Sequence, residues 1–368
     1  MIRKVYVDLA RQRLAKGEAG WLAKRGAQYL LTHLSRVARR PLCGPILGTL
    51  VTNYTCNYHC ALCDISRRER ELKGMIPELS TGELKEVLRD FARLGTPGIG
   101  FTGGEPLLRK DIFELLRYCK ELGMITHLNT NGSLLEEQRA GLLLEAGVDS
   151  LNISLDGSRP ETHDAIRGIP GAFERVRSAV ATVGRLRRER GSPLRMKVVA
   201  VVSERNIDEV PGLVELSRQW GTDCVEFIPR QPFTAERDRT QPDAAFLEKL
   251  RGTVNHLLAA KGEGISIEDS PRMLRLFPRS FRGEPSPLAC YAGYNSLAVD
   301  CYGEIYPCLP WINWGKSVGN VRQSPLTEFW ASPAYNLRRP EIARCHDCYL
   351  NCQTELNLLF TLKRISGP

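Results

Sequence analysis

The chain has 368 residues, 42% of them hydrophobic and 25% charged, with a formal charge of +9 at pH 7. That is the balance of an ordinary globular protein, long enough for one large domain and a small one. No apolar run approaches the roughly 18 residues of a membrane span, and the opening Met1-Ile2-Arg3-Lys4 returns to charge before any apolar core forms, so no cleaved signal is expected and the compartment is read as cytoplasmic. Disulfides are rare in that compartment, which points the twelve cysteines toward metal or simple burial.

Residues 1–45 read as a basic extension. Residues 1–40 hold ten Lys and Arg against only Asp8 and Glu18, so nearly all the excess positive charge lies there. Leu22, Tyr29, Leu30, His33, Leu34 and Val37 recur at helical spacing, with Lys24, Arg25, Arg36 and Arg39 beside them. A basic amphipathic helix of this kind suits an anionic membrane surface, here the inner face of the membrane. It can equally pack on the barrel with its charges in solvent, which is the commoner outcome for such a helix. Nucleic acid is not an expected partner, because no RNA-binding module accompanies the charge.

Short apolar segments then alternate with helical patterns. Strands are expected at about 47–53, 98–102, 124–129, 150–155, 196–202 and 224–228. Ser80-x-x-Glu83 is a capping box with Leu79 and Leu84 placed as a hydrophobic staple, and Ser133-x-x-Glu136 is expected to open another helix closed by Gly147. Six such alternations over 46–235 imply a parallel sheet with helices outside. Residues 236–280 read as a helical linker and 281–368 as a small cysteine-rich domain.

The chemistry begins just after the first strand. Cys56, Cys60 and Cys63 lie in the run Thr55-Cys-Asn-Tyr-His-Cys-Ala-Leu-Cys-Asp64. A [4Fe-4S] cube normally takes four thiolates, so three leave one iron open to a chelating small molecule. The competing reading is a structural zinc knot, but His59 is too close in the chain to supply a natural second pair. After the second strand comes Gly98-Ile-Gly-Phe-Thr-Gly-Gly-Glu-Pro106. Gly103 and Gly104 allow a close backbone approach without Cβ obstruction. The Gly98-x-Gly100-x-x-Gly103 spacing mimics a dinucleotide fingerprint, yet it lies inside a strand instead of opening a helix.

With both motifs present in order, the sequence resembles the radical SAM superfamily. The resemblance implies a partial (β/α)6 TIM-like barrel within an α/β fold. It implies that Cys56, Cys60 and Cys63 hold a [4Fe-4S] cluster and that Gly103, Gly104, Glu105 and Pro106 border the methionyl end of S-adenosylmethionine. Leu62 stands where the family commonly has an aromatic residue. Ligands of such barrels collect at the C-terminal strand ends. Asn131, Ser154 and Asp156 stand at two of those ends and are carried over as contacts to the nucleotide, with turn chemistry in Asn131-Gly132 and Asp156-Gly157 as their simpler explanation.

A second cysteine set follows the alternating part: Cys290, Cys301, Cys308, Cys345, Cys348 and Cys352. Val299-Asp300 and Glu304-Ile305-Tyr306 read as a hairpin between them. The pattern resembles the SPASM or twitch extension that holds auxiliary clusters. It lacks the longer Cys run of the full SPASM form, so one auxiliary [4Fe-4S] cluster is expected, two clusters in all. Cys290, Cys308, Cys345 and Cys348 are the favoured ligands, with Cys352 as the alternative; a zinc site on the same four is the competing reading. Cys119 is expected to be a buried hydrophobe on the Ile112, Leu115 and Leu116 face, and Cys224 a candidate hydrogen-atom donor. The function expected is reductive cleavage of S-adenosylmethionine and hydrogen abstraction from an unactivated carbon of a lipid, sugar, peptide or cofactor precursor. Its electron would come from an external one-electron reductant such as a flavodoxin or ferredoxin. A zinc-knot interaction protein and an enzyme acting on a membrane lipid at the bilayer surface are the alternatives.

Overall fold

The computed structural model of the chain describes residues 14, 17, 19–65, 69, 74, 76–231 and 242–361. Its centre is one nine-stranded sheet in the order β6-β5-β4-β3-β2-β1-β7-β8-β9. The first six strands are β1 Leu47–Val51, β2 Gly98–Thr102, β3 Ile125–Thr130, β4 Ser150–Ser154, β5 Arg195–Val202 and β6 Cys224–Pro229, and each pairs in parallel with its sequence neighbour. The strands match the expected segments to within one or two residues. Helices cover the outer face, as parallel crossovers require.

The sheet does not stop where the alternation stops. Strand β7 (Ser296–Val299) pairs in parallel with β1, placing Leu47 opposite Ser296, and β8 (Glu304–Tyr306) and β9 (Gly319–Asn320) follow antiparallel. The cysteine-rich region therefore extends the barrel sheet at its β1 edge.

A period of two runs through the strands and separates two faces. Phe101, Leu128, Leu151, Ile153, Met196, Val198 and Phe227 belong to the main apolar cluster. The alternate positions are polar: Thr49, His127, Asn129, Asn152, Ser154, Lys197 and Glu226. Asn129 and Asn152 sit in register, and Asn152 Nδ2 donates to Asn129 Oδ1 at 2.8 Å while Asn129 Nδ2 donates to the Phe101 carbonyl at 3.1 Å.

The helices follow their sequence signals except at Ser133 and in the first helix. After α1 (Ala19–Ala38), α2 (Thr81–Arg93) carries the complete capping box, Ser80 accepting from the Glu83 N–H and Glu83 accepting from the Ser80 N–H, with Leu79 and Leu84 buried. Next come α3 (Ile112–Glu121) and α4 (Glu137–Glu145). Here Ser133 does not cap: α4 begins at Glu137 without a side-chain cap, and the Ser133 hydroxyl instead accepts from Asn57 in the cysteine loop at 2.9 Å. The remaining barrel helices are α5 (Pro160–Arg167), α6 (Ala172–Glu189) and α7 (Val210–Gln219). The segment read as a linker contains α8 (Ala244–Gly262), which buries Phe246, Leu250, Val254 and Leu257 in the same core as the barrel.

Helix α1 is oriented against its own hydrophobic pattern. Gln28, Thr32 and Ser35 are the buried residues, and Gln28 donates to the carbonyls of Gly44 and Pro45. Leu30, Leu34 and Val37 point outward, 62%, 51% and 73% exposed. Tyr29 stacks on Phe360 and bonds the Leu359 carbonyl, and Arg36 donates to the Cys290 carbonyl, so the helix is held on the C-terminal region. Residues 1–13 of the expected basic extension lie outside the described residues. No helix among the described residues is long and apolar enough to cross a membrane.

Candidate active site

The cysteine loop leaves β1 and is fixed by backbone on both sides. Gly104 N–H donates to the Asn53 carbonyl and Glu105 N–H to the Thr55 carbonyl, both at 2.9 Å, while Asn53 Nδ2 donates to the Glu105 carbonyl at 3.0 Å. A Cβ at Gly103 would stand 2.5 Å from the Asn53 oxygen and one at Gly104 2.2 Å from the Thr55 oxygen. Both glycines are thus needed for the strand-end turn to lie against the loop itself, a closer constraint than approach to a ligand. On the other side Ala61 N–H donates to the Ile166 carbonyl, and a Cβ at Gly168 would be 2.4 Å from the His59 oxygen.

Cys56, Cys60 and Cys63 open on one cavity of about 190 Å3, whose other walls include Gly103, Gly104, Asn131, Ser154 and Arg167. Burial holds the Cys56 thiol above its ordinary value and pushes Cys63 up to about 11, although Cys63 keeps an exposed edge. These thiols stay protonated until a metal displaces the protons. The donor set fits a cube bound at three corners: three thiols from eight residues, facing a space in which a fourth corner can meet a small chelate. Among the described residues no three His, Cys, Asp or Glu side chains converge on a point the size of a single ion.

Glu105 does not face this cavity. It is fully buried, and its carboxylate accepts from Leu107 N–H at 3.0 Å, Thr130 Oγ1 at 2.8 Å and Asn131 N–H at 2.7 Å. It therefore ties the end of β2 to the end of β3, and Pro106 opens the short turn behind it. Asn131 reaches the cavity, and its Nδ2 donates to Asn57 Oδ1 at 2.9 Å. Ser154 lines this cavity and the one beneath it, whereas Asp156 lines only the second.

Arg167, the last residue of α5, was not foreseen. Its Nη2 lies 2.7 Å from Asp156 Oδ2 and its Nη1 donates to Cys60 Sγ at 3.8 Å, setting one cation between the β4 end and the loop. Asp156 also accepts from the Val201 N–H at 2.8 Å, and its own N–H donates to His163 Nδ1 at 3.0 Å. Pro160 and Gly168, which bound α5, were the available signal, since together they place Arg167 in its last turn.

A second cavity of about 320 Å3 runs from Cys60, Leu62 and Cys63 down the polar face of the sheet, past His127, Asn129 and Asn152, to Asn351 and Cys352. His127 is held neutral there, its value lowered to about 4 by burial and by the Lys197 cation. Below it, Lys197 and Glu226 form a fully buried ion pair.

The auxiliary cysteines come from three places. Cys290 precedes β7, Cys308 follows β8, and Cys345 and Cys348 follow α13 (Pro333–Ala343), which comes after the short helices α9 (Pro271–Leu274), α10 (Phe277–Phe281), α11 (Leu309–Asn313) and α12 (Leu326–Ala331). Burial raises the Cys308 thiol most, and Cys348, Cys290 and Cys345 raise it further, while Cys290, Cys345 and Cys352 act in the same way on Cys348. Cys301 is buried beside Glu78 instead, with its carbonyl accepting from Leu79. Cys224 is likewise away from both cavities: Arg195 donates to its sulfur at 3.3 Å and the thiol faces Glu268 at 3.4 Å. Its expected role as hydrogen-atom donor has no geometric support. Cys119 is buried among Ile112, Leu115 and Leu116.

Fold and site together define a class: an iron–sulfur enzyme built to hold S-adenosylmethionine at an open iron, with further cysteines on the same sheet. The Radical SAM superfamily pattern matches residues 50–216 and an iron-sulfur cluster-binding SPASM domain matches 290–349. The chain belongs to the radical SAM superfamily and carries a SPASM-type C-terminal domain; [4Fe-4S] clusters and S-adenosylmethionine are its cofactors. An AdoMet-dependent heme synthase of Methanosarcina barkeri is 28% identical over 302 residues, 78% of this chain and 82% of the relative. A PqqA peptide cyclase of Streptomyces rochei is 28% identical over 305 residues, 81% and 79% of the two chains. Among solved structures, Streptococcus suis SuiB bound to its precursor peptide SuiA superposes with a TM-score of 0.66 at 15% identity, covering 97% of this chain and 86% of that one.

Proposed function

We propose that this enzyme reductively cleaves S-adenosylmethionine at Cys56, Cys60 and Cys63 and uses the resulting 5′-deoxyadenosyl radical to take hydrogen from an unactivated carbon of a substrate in the larger cavity. The observation that carries this reading is the continuity of that cavity, from Cys60 and Cys63 at one end to Cys352 at the other. Gly103, Gly104, Asn131 and Ser154 would hold the methionyl and ribosyl parts, Glu105 would brace the turn, and the Asp156–Arg167 pair would close the wall beneath them. Cys290, Cys308, Cys345 and Cys348 would hold one auxiliary [4Fe-4S] cluster that takes an electron from the substrate or anchors it. An external one-electron protein such as a flavodoxin or ferredoxin would supply the reducing electron. The cavity wall mixes apolar side chains with neutral amides, and Arg167 is already matched by Asp156, so a substrate of low charge suits it.

The test is anaerobic reconstitution followed by S-adenosylmethionine and dithionite. About eight irons per chain and release of 5′-deoxyadenosine are expected. Stoichiometric zinc with no 5′-deoxyadenosine would overturn the reading.

A second reading concerns location, and the outward face of α1 favours it: a cytoplasmic enzyme resting on the inner face of the membrane. Leu30, Leu34 and Val37 form an exposed apolar row, and Lys24, Arg39 and Arg40 are exposed on the same helix and the residues that follow it. Apolar insertion beside cations is how an interfacial helix binds anionic lipid. The full chain should float with phosphatidylglycerol-containing vesicles but not with pure phosphatidylcholine, and the variant with Leu30, Leu34 and Val37 all changed to Ser should stay below. Equal flotation of that variant, or a dimer that needs the same three residues, would rule this reading out.

A further inference from the structure

The glycines around the end of β2 answer to different demands. A Cβ at Gly103 would stand 2.5 Å from the Asn53 carbonyl oxygen and one at Gly104 2.2 Å from that of Thr55, so the fold itself requires bare backbone there. Gly100 is under no such requirement. It is ordinary strand in the middle of β2, in register with Thr49 of β1 and His127 of β3. A Cβ built on it would meet nothing closer than 3.9 Å, the distance to the Gly48 carbonyl oxygen and to Thr49 Oγ1. Glycine weakens a strand interior, because it packs nothing and has the most backbone freedom to lose on folding, and it marks places where a ligand comes close.

The space left at Gly100 belongs to the larger cavity. Gly100, Thr49 and His127 line that cavity and not the smaller one, whereas Thr102, on the same side of β2 two residues on, lines both. Gly100 keeps part of its surface accessible, although Ile99 and Phe101 on either side of it are fully buried. It is therefore a notch in the cavity floor, with Thr49 to one side, the neutral His127 to the other, and the amides of Asn129 and Asn152 further along the same face. Among the described residues of the wall the charged side chains are Asp156 and Arg167, which pair with each other at 2.7 Å. An ionised group in the notch would be desolvated without a counter-charge, whereas an uncharged polar group would find hydrogen-bonding neighbours.

Resting on the radical reading above, we infer that Gly100 is a specificity-determining residue, and that the notch it leaves receives an uncharged hydrogen-bonding group of the substrate, a carboxamide or a hydroxyl. A substrate anchored there directs its neighbouring carbons past Thr102 toward the smaller cavity and the nucleotide. A side chain at position 100 would fill the notch and lift the substrate off the floor. Fold and substrate thus make opposite demands on one residue: the strand would be better served by a side chain, the ligand by its absence.

Those opposite demands supply the test. In the full-length apoprotein, Gly100→Ala should raise the denaturation midpoint, because the strand conformation accepts alanine and the unfolded chain loses freedom. A lowered midpoint would show that the fold needs the glycine and would overturn the inference. Binding is read on the reconstituted enzyme with S-adenosylmethionine present, by saturation-transfer NMR of three probes that share one ring: benzamide, benzoate and benzylamine. Benzamide alone should give a signal with wild type, weaker with Gly100→Ala and lost with Gly100→Val. An undiminished benzamide signal in Gly100→Val, or none in wild type, would remove the notch as a binding site. A benzoate or benzylamine signal as large as that of benzamide would overturn the uncharged class. The radical reading is checked separately, by 5′-deoxyadenosine formation in wild type with dithionite; its absence would defeat that reading and leave the benzamide comparison standing.

Discussion

The two cysteine sites are built in opposite ways. The loop site takes three thiols from eight consecutive residues and relies on backbone on either side for its shape, through Gly103, Gly104 and Gly168. The proposed auxiliary site would gather Cys290, Cys308, Cys345 and Cys348 from three separate segments, and Cys290 and Cys308 are buried in the core. The first is a local motif that the barrel presents. The second is part of the core that joins the hairpin and the C-terminal helices to the sheet, and its loss should be felt by packing as well as by chemistry.

The largest expected effect comes from the local site. Replacing Cys56, Cys60 and Cys63 by Ala should remove about four irons and abolish 5′-deoxyadenosine formation, with the melting temperature of the apoprotein nearly unchanged because none of the three is a buried core residue. A variant that still cleaves S-adenosylmethionine would break the division of roles between the two sites.

Replacing Cys290 and Cys308 by Ala should also remove about four irons, yet leave slow, uncoupled cleavage at the loop. Here the apoprotein should melt lower, since each truncation opens a gap in a packed core. Loss of all eight irons would show that the two sites do not assemble independently.

The third effect probes the backbone support of the loop. Gly104→Ala brings a methyl group 2.2 Å from the Thr55 carbonyl, and a contact so short has to be relieved by moving the loop. Overpacking of this kind costs about 1 to 3 kcal/mol, visible as a reduced denaturation midpoint, and cleavage should fall while the auxiliary irons remain. Unchanged cleavage would mean that the turn does not set the loop's position.

The same contrast explains what could be read without coordinates. The loop and the Gly-Gly-Glu-Pro turn were legible because every residue involved is close in the chain, and the six strands because each is short and bounded by helix caps. The auxiliary ligands were legible as a pattern of spacings, but not the pairing of β7 with β1 that makes them part of the barrel sheet. The amide pair Asn129 and Asn152 was missed for a different reason. Strands judged by their apolar content hide the alternate positions, and a period-two reading of His127-Leu-Asn129 and Asn152-Ile-Ser154 would have shown a polar inner face. Helix α1 misled in the other direction: its apolar row is real but faces out, because Gln28 and Thr32 satisfy backbone carbonyls beneath it or within the helix.

The last effect concerns two buried histidines, His127 on β3 and His163 in α5. His127 and His163 are held neutral in the folded chain, lowered to about 4 and about 3 mainly by burial, with Lys197 beside the first and Arg167 beside the second. Unfolded, both would titrate near 6.5. Between these limits the unfolded chain binds more protons than the folded one, so the stability present above about pH 6.5 is lost progressively as the pH falls toward 4. Each histidine contributes up to about 3 kcal/mol of that loss by linkage. His163→Asn keeps an acceptor for the Asp156 N–H and removes one titration, so its denaturation midpoint should fall less steeply from pH 6.5 to 4.5 than that of wild type. An equally steep fall would place the acid sensitivity elsewhere; the buried Lys197–Glu226 pair, whose carboxylate burial penalises and the Lys197 cation holds low, acts over a different range. Because that pair loses its contribution only as Glu226 protonates below the ordinary carboxylate range, its signature would begin at lower pH than the histidines' and would survive the His163→Asn substitution.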